Sequence, residues 1–499
     1  MNDHETVIAN RKKKETKRTI SFIAIILALF MGAIEGTIVS TAMPEIVGEL
    51  GGFSLYSWVF SAYLLMNTVT VLMYGKLADL FGRKPVLLFG ISIFLLGSLG
   101  AGYAWSMQSL IVFRLIQGFG AGAITPVAMT IVGDIYTREE RAKVQGYISS
   151  VWGISAILGP ALGGLLIKYI SWSWIFWINL PIGLLSALGL LFFYHEHKKA
   201  EKQKIDYMGS LLLTASLSFL MYLLVDGGTA FSWFSITSLL ILSSILILVI
   251  IFVKQQNKAI EPIMPFSIWK NKSILFANLT SLTTGIILIG ISSYLPTFVQ
   301  GVMGKSPTIA GFTLTAMSIG WPIASFLSGH MLLRIGYRTT CVIGGIFILS
   351  GSLSFVFLPF YEYVMLAAIG SFLIGVGMGL TSTAFIVFIQ STVDWGQRGA
   401  ATASNTFMKN LGNTIGAALL GGILNNRLNA YFIQNENGDL DLNSINELLN
   451  TETRSSLEAG RLDILQGGLT HSLGIVYFIV FMLAIVSIMF IFRMPKDNH

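Results

Sequence analysis

Glu35 and Arg114 are where chemistry could begin, because each places a full charge inside a long apolar run, where an ionisable side chain is costly and by default marks a transport path. Reading the first run as a helix from about Ile20 to Ala42 puts Glu35 about 6 Å beyond its midpoint, at 1.5 Å per residue. The fourth run, entered at about Ser109 from the opposite direction, puts Arg114 about 7 Å from its own midpoint on the same side, so the two opposite charges share a depth. Apolar surroundings favour the neutral carboxyl, whereas a nearby guanidinium favours the carboxylate. A group held between these pulls can take a proton from one face of a membrane and release it to the other. This requires water to reach Glu35 from each face in turn; an acid sealed in protein would not serve. The alternative is a fixed structural ion pair, or an Arg114 bonded only to backbone carbonyls.

Lys409 is the other cation within an apolar run, on one helical face with Asn405 and Asn413. Contact with a substrate or proton and bonding of helix ends across an interface are equal alternatives for it. Asn67, Gln117, Trp152 and Trp321 are further candidates to line a cavity, although aromatics in such helices more often serve packing or an interfacial belt. Other chemistries lack their parts. Gly304-Lys305-Ser306 is no phosphate loop, since Val299 stands where its first glycine belongs. His195-x-His197 sits among lysines with no further Cys or His, a poor metal site. With no cluster of nucleophile, base and orienting group either, the chain is expected to be no enzyme, to use no ATP and to hold no metal or cofactor.

The elements that must position these residues follow from composition. At 54% hydrophobic, 11% charged and a mean hydropathy of +0.72, the 499 residues do not make a soluble globule, whose charged fraction is usually about 25%. A spanning helix needs about 20 mostly apolar residues. Such runs fall near 20–42, 55–74, 86–104, 109–131, 144–167, 174–193, 208–226, 234–253, 274–296, 308–332, 340–360, 364–389, 401–424 and 470–492, so fourteen transmembrane helices are expected. With the N-terminus placed inside, 25 of the 32 Lys and Arg residues fall in cytoplasmic segments, which makes both termini cytoplasmic. This bias and anionic lipid headgroups account for the net charge of +7 without a nucleic-acid partner. The first run is long, is interrupted by Glu35 and lacks a small-residue cleavage site, so it is expected to remain as a helix and not to be cleaved as a signal peptide. One cysteine, Cys341, excludes an internal disulfide.

The chain is also duplicated. Gly75 to Lys84 forms a short basic hairpin between two apolar runs, and Gly329 to Arg338 is a worn copy in which Asp79 has become Leu333. Offsets agree along the chain: 252 for Pro44 and Pro296, 254 for the hairpin glycines Gly75 and Gly82 with Gly329 and Gly336, 257 for the ladders Gly118-x-Gly120-x-Gly122 and Gly375-x-Gly377-x-Gly379, and 258 for Gly163-Gly164 and Gly421-Gly422. Internal repeats of this kind are a signature of secondary transporters. The acid is not repeated, because position 287 is Ile287, so proton coupling is expected in the first half alone. The plan is an N-terminal tail (1–19), a six-helix half (20–193), linkers with two inserted helices (194–272), a second six-helix half (273–492) with a long extracellular loop (425–469), and a tail (493–499). That loop contains an amphipathic stretch from Leu442 to Leu449, a surface helix or a gating lid. In the hairpin, Asp79 can accept hydrogen bonds from an adjacent helix N-terminus while Arg83 and Lys84 meet acids or lipid phosphates. In the fifth run, Gly153, Gly159, Pro160, Gly163 and Gly164 allow close helix approach and a kink, which suits a rocking interface.

Four of these segments resemble the motifs of one family, the fourteen-helix drug:proton antiporter branch of the major facilitator superfamily, over about 20–425 and the last helix. Glu35-Gly36-Thr37-Ile38-Val39-Ser40-Thr41-Ala42-Met43-Pro44 is similar to its helix-one motif, with Glu in place of the commoner Asp. Gly75 to Lys84 matches its loop signature, Arg114-x-x-Gln117-Gly118-x-Gly120 its helix-four motif, and Gly153 to Gly164 its helix-five antiporter motif. The resemblance implies an all-α polytopic membrane protein in the bacterial plasma membrane, a monomer whose partners are protons, lipids and a small lipophilic substrate. It implies export by alternating access of drugs or toxic compounds, with proton transfer at Glu35 and Arg114. Relatives with a second membrane acid on helix ten handle dications; none stands between Pro307 and His330, so neutral or monocationic compounds are expected. The alternatives are a dedicated exporter of one metabolite, lipid or tetracycline-like compound, or a non-transporting sensor or scaffold.

Overall fold

Apolar runs of this length fold as helices because lipid offers no partner to a peptide N–H or C=O, so each group must be satisfied within its own segment. A computed structural model describes residues 16–136, 138–196, 206–259, 262, 264, 266–392, 398–435 and 440–495, and among these the chain is almost entirely helical. The first half comprises α1 (Arg18–Leu50), α2 (Tyr56–Phe81), α3 (Arg83–Gly102), α4 (Met107–Ile135), α5 (Arg138–Tyr169), α6 (Trp174–Trp177) and α7 (Asn179–Phe193). An inserted pair follows, α8 (Tyr207–Asp226) and α9 (Ile236–Lys258). The second half comprises α10 (Lys272–Thr297), α11 (Pro307–Ile335), α12 (Tyr337–Tyr361), α13 (Val364–Thr392), α14 (Arg398–Asn435), the short α15 (Ile445–Leu449) and α16 (Thr451–Ser456), and α17 (Ala459–Phe492).

Thirteen helical segments among the described residues are long and apolar enough to cross a membrane. The long helix outside that count is α14, which carries Asn405, Lys409, Asn410, Asn413, Asn425, Asn426 and Arg427. Several of these polar groups are turned to protein: Asn405 donates to Asn278 Oδ1 (3.1 Å) and Ser281 Oγ (2.8 Å), and Asn425 donates to the Ser54 carbonyl (2.8 Å). The sixth run is a single candidate span, Trp174–Phe193, in which α6 leads into α7, and α14 and α17 extend into the 425–469 segment. Hydropathy marks where lipid contact ends, whereas these helices continue into contacts with protein.

The duplication is visible in the packing. Added Cβ atoms on Gly118 and Gly375 would strike the carbonyls of Tyr63 (2.4 Å) and Met317 (2.1 Å), and those on Gly120 and Gly377 would lie 2.3 and 2.8 Å from the amides of Phe94 and Ile348. Both glycine ladders therefore seat the fourth helix of their half against its second and third. The hairpins repeat as well, since Gly82 (φ 99°) and Gly336 (φ 79°) each end one helix and start the next in the left-handed region that favours glycine.

The halves meet along two related seams, α5 against α11 and α2 against α14. Gly164 has no room for a side chain beside the Thr308 backbone (2.7 Å), and Gly311 none beside the Pro160 carbonyl (2.3 Å). Hydrogen bonds between the halves include, at mid-helix, Thr68 with Thr414 (2.9 Å) and, toward the end of the molecule away from both chain termini, Gln300 to the Thr41 carbonyl (3.2 Å), Tyr56 to the Ser293 carbonyl (2.5 Å), Ser57 with Tyr294 (3.2 Å) and Thr308 to the Gly164 carbonyl (3.3 Å). The stretch read as a surface helix covers this end. Ile445, Leu448 and Leu449 are buried, Asn450 donates to the Gly48 carbonyl (3.0 Å), and Arg454 reaches the carbonyls of Gln300 (3.0 Å) and Gly301 (2.9 Å). A bidentate pair between Arg461 and Glu447 (2.8 Å each) holds the cover to α17. This end is closed. The inserted pair lies on the flank, α8 against α2 and α14, with α9 packed outside it.

Candidate coupling and substrate site

Five helices bring the charged centre together. Glu35 of α1 forms an ion pair with Arg114 of α4, and both side chains are withdrawn from solvent (0% and 2% exposed). The second carboxylate oxygen accepts from Asn179 Nδ2 of α7 (2.8 Å). Arg114 in turn donates to Gln117 Oε1 (2.6 Å) and to the Val59 carbonyl of α2 (3.3 Å), and its guanidinium lies 4.1 Å from the centroid of the Tyr63 ring. Ser98 of α3 closes the network, accepting from Gln117 (2.7 Å) and Asn179 (3.2 Å). The carboxylate and guanidinium are thus each bonded to several groups, as two charges in low dielectric require, while the buried Oδ1 of Asn179 is left without a partner.

Glu35 reaches no solvent in this conformation, so the access that proton exchange demands is not present here. Its chain neighbour differs. Gly36 is exposed at mid-helix, and a Cβ added there would meet nothing within 4 Å. Asn67, only partly buried, stands one turn from Tyr63 on α2, whose ring covers Arg114, and so lies between the sealed centre and a less enclosed surface.

The remaining candidates fall into two groups. Trp321 of α11 is partly exposed, and Lys409 of α14 stands 4.4 Å from its ring centroid. Of the two alternatives for Lys409, bonding to helix ends finds no contact among the described residues. Asn413, one turn on, is partly exposed with a buried Oδ1 that has no partner. Trp152 of α5 is 46% exposed and adjoins Gly153, whose Cβ position is 3.2 Å from Pro322, the residue after Trp321. Gln117 belongs to the buried charged network instead. Among the helix-five glycines, Gly159 and Gly163 pack on α1, at Thr37 and Ile38, and Gly164 on α11, with Pro160 within the helix between them.

In the hairpin, Gly75 has open space where a Cβ would stand, and Arg83 pairs with Asp134 of α4. The side chain of Asp79 lies outside the described residues. The cap on the next helix comes from elsewhere: Glu196, just beyond α7, accepts from the backbone N–H groups of Arg83 (2.6 Å) and Lys84 (3.2 Å), and an added Cβ on Gly82 would strike its carboxylate (2.7 Å). The segment that follows α7 therefore begins with a structural contact. Asn179, Ser98, Tyr63, Asp134 and Glu196 were not singled out from sequence. Only Asn179, an amide inside an apolar run, carried a signal that could have found it.

A family model for the Major Facilitator Superfamily matches residues 25–417, most of the chain and all of the charged centre. The chain belongs to the major facilitator superfamily. Relatives within it include Multidrug transporter protein MdtP of Bacillus subtilis, 34% identical over 84% of this chain and 77% of its own length, and Multidrug resistance protein 3 of the same organism, 35% identical over 84% and 83%. At the level of fold, this superfamily member is similar to a bacterial homologue of the human lysosomal transporter Spinster (TM-score 0.66, 13% identity, 97% of this chain and 99% of that one) and to a D-xylose–proton symporter (0.63, 12%, 96% and 98%). It is thus a multi-pass membrane transporter, of a family distinct from enzymes.

Proposed function

We propose that the chain is a proton-coupled exporter of lipophilic small molecules, drugs or toxic compounds among them, working by alternating access in a bacterial plasma membrane. It works as a monomer of fourteen spans with both termini in the cytoplasm, and the closed end faces outward. The names of its multidrug relatives support drug export. The observation that carries proton coupling is the Glu35–Arg114 pair, one carboxylate and one guanidinium satisfied only by each other and by neutral neighbours.

Protonation of Glu35 removes the charge that Arg114 neutralises, leaving the guanidinium to Gln117, the Val59 carbonyl and the Tyr63 ring. Because Glu35 and Thr37 tie α1 to α4, α7 and α5, loosening the pair frees α1 to shift against its neighbours, and α5 carries the seam to the second half. A proton bound from outside thereby favours a different packing from the one that holds when the carboxylate is charged. The test is Glu35→Gln in membrane vesicles. Uphill, pH-driven efflux is expected to vanish while substrate binding persists in part; undiminished coupling rejects the role.

A further inference from the structure

We propose that the substrate site of this carrier takes amphiphilic anions, an apolar aromatic body bearing one carboxylate or sulfonate-like charge, with Lys409 as the counter-charge. The inference rests on the reading as a carrier and assigns the charge class of its cargo. It differs from the neutral or monocationic compounds expected from sequence, and the reason is the balance of charge at mid-membrane. The acid a cation would seek is Glu35, which is sealed and neutralised by Arg114. Helices α10 to α14 contain no Asp or Glu in their described spans. Lys409 has no carboxylate within 4 Å among the described residues; its contact is the face of Trp321, which softens the cost of the charge without neutralising it. An ammonium so placed in low dielectric retains a strong demand for an anion.

The surroundings fit the rest of such a molecule. Trp321 offers an aromatic face at Lys409, and the next residue, Pro322, meets Gly153 at the α5–α11 crossing, so the first half lies alongside. The unpartnered Oδ1 of Asn413, one turn from Lys409, seeks a hydrogen-bond donor.

Tetraphenylborate and tetraphenylphosphonium have the same shape and opposite charge, which makes them the probes. Their binding to the purified chain in lipid nanodiscs is read by tryptophan quenching, with empty discs subtracted, and their pH-gradient-driven flux is then read in proteoliposomes. The wild type should bind the borate at least about tenfold more tightly than the phosphonium, Lys409→Met should lose that preference, and Lys409→Arg should keep it. Should Lys409→Met fail to fold, Asn413→Asp supplies a local counter-charge and should likewise erase the preference. Equal binding of the two ions, a preference for the phosphonium, or a preference unchanged in Lys409→Met or Asn413→Asp overturns the proposal. Anion preference without flux keeps the site and removes the carrier reading; pH-driven phosphonium flux without anion preference does the reverse.

Discussion

At the scale of single residues, the Glu35–Arg114 pair makes two demands that separate a structural role from a coupling role. Removing one partner leaves the other charge buried, so Glu35→Gln should lower stability by about 3–5 kcal/mol, and Glu35→Gln with Arg114→Gln should recover most of it in detergent unfolding. A structural pair predicts that recovery and nothing more. A coupling acid must also open to protons, so dicyclohexylcarbodiimide, which reacts with protonated carboxyls in apolar surroundings, should label Glu35 more at low pH and faster when a pH gradient drives turnover. No labelling under any condition would mean that the seal is permanent. That the two charges stand level with each other was legible in the sequence, whereas Asn179, Ser98 and Tyr63 were not, since a neutral group becomes part of a network only when other helices bring charges to it.

At the scale of elements, the glycines of α5 hold the closed seam, and their order along the helix predicts different outcomes. Gly164→Val puts a branched side chain into the Thr308 backbone and should hold the outer end open, raising labelling of an introduced Thr41→Cys severalfold while stopping efflux. Gly36→Ala meets nothing within 4 Å and should leave expression and folding unchanged. The hairpin makes a separate prediction. Glu196→Ala removes the acceptor for two N–H groups of α3 and should cost about 1 kcal/mol, comparable to loss of a helix cap, read as a lower unfolding midpoint. Spacing marked Gly82 as a turn because left-handed backbone favours glycine, but the cap itself arrives from 113 residues away. Nothing local in the sequence announces that contact.

At the scale of the whole molecule, exchange of one anion for one proton moves charge in a single direction, because an anion leaving and a proton entering both carry positive current inward. If the cargo is a monoanion, a potassium–valinomycin potential at equal pH should drive its efflux, each charge contributing about 2.3 kcal/mol per 100 mV. One-for-one exchange of a monocation would show no response to that potential. The sequence by itself determined the solvent and the two charges of the centre, Glu35 and Arg114, and made the internal repeat readable, because lipid forces backbone bonding into local helices and leaves a repeat at nearly one offset. Only the tertiary structure decided that Glu35 is sealed while Lys409 stands on Trp321 without an acid among the described residues, and that the α15–α16 segment joins the two halves at one end. Burial, pairing and closure depend on which helices lie side by side. That choice is made by packing among residues hundreds of positions apart, where hydropathy is uniform and carries no address.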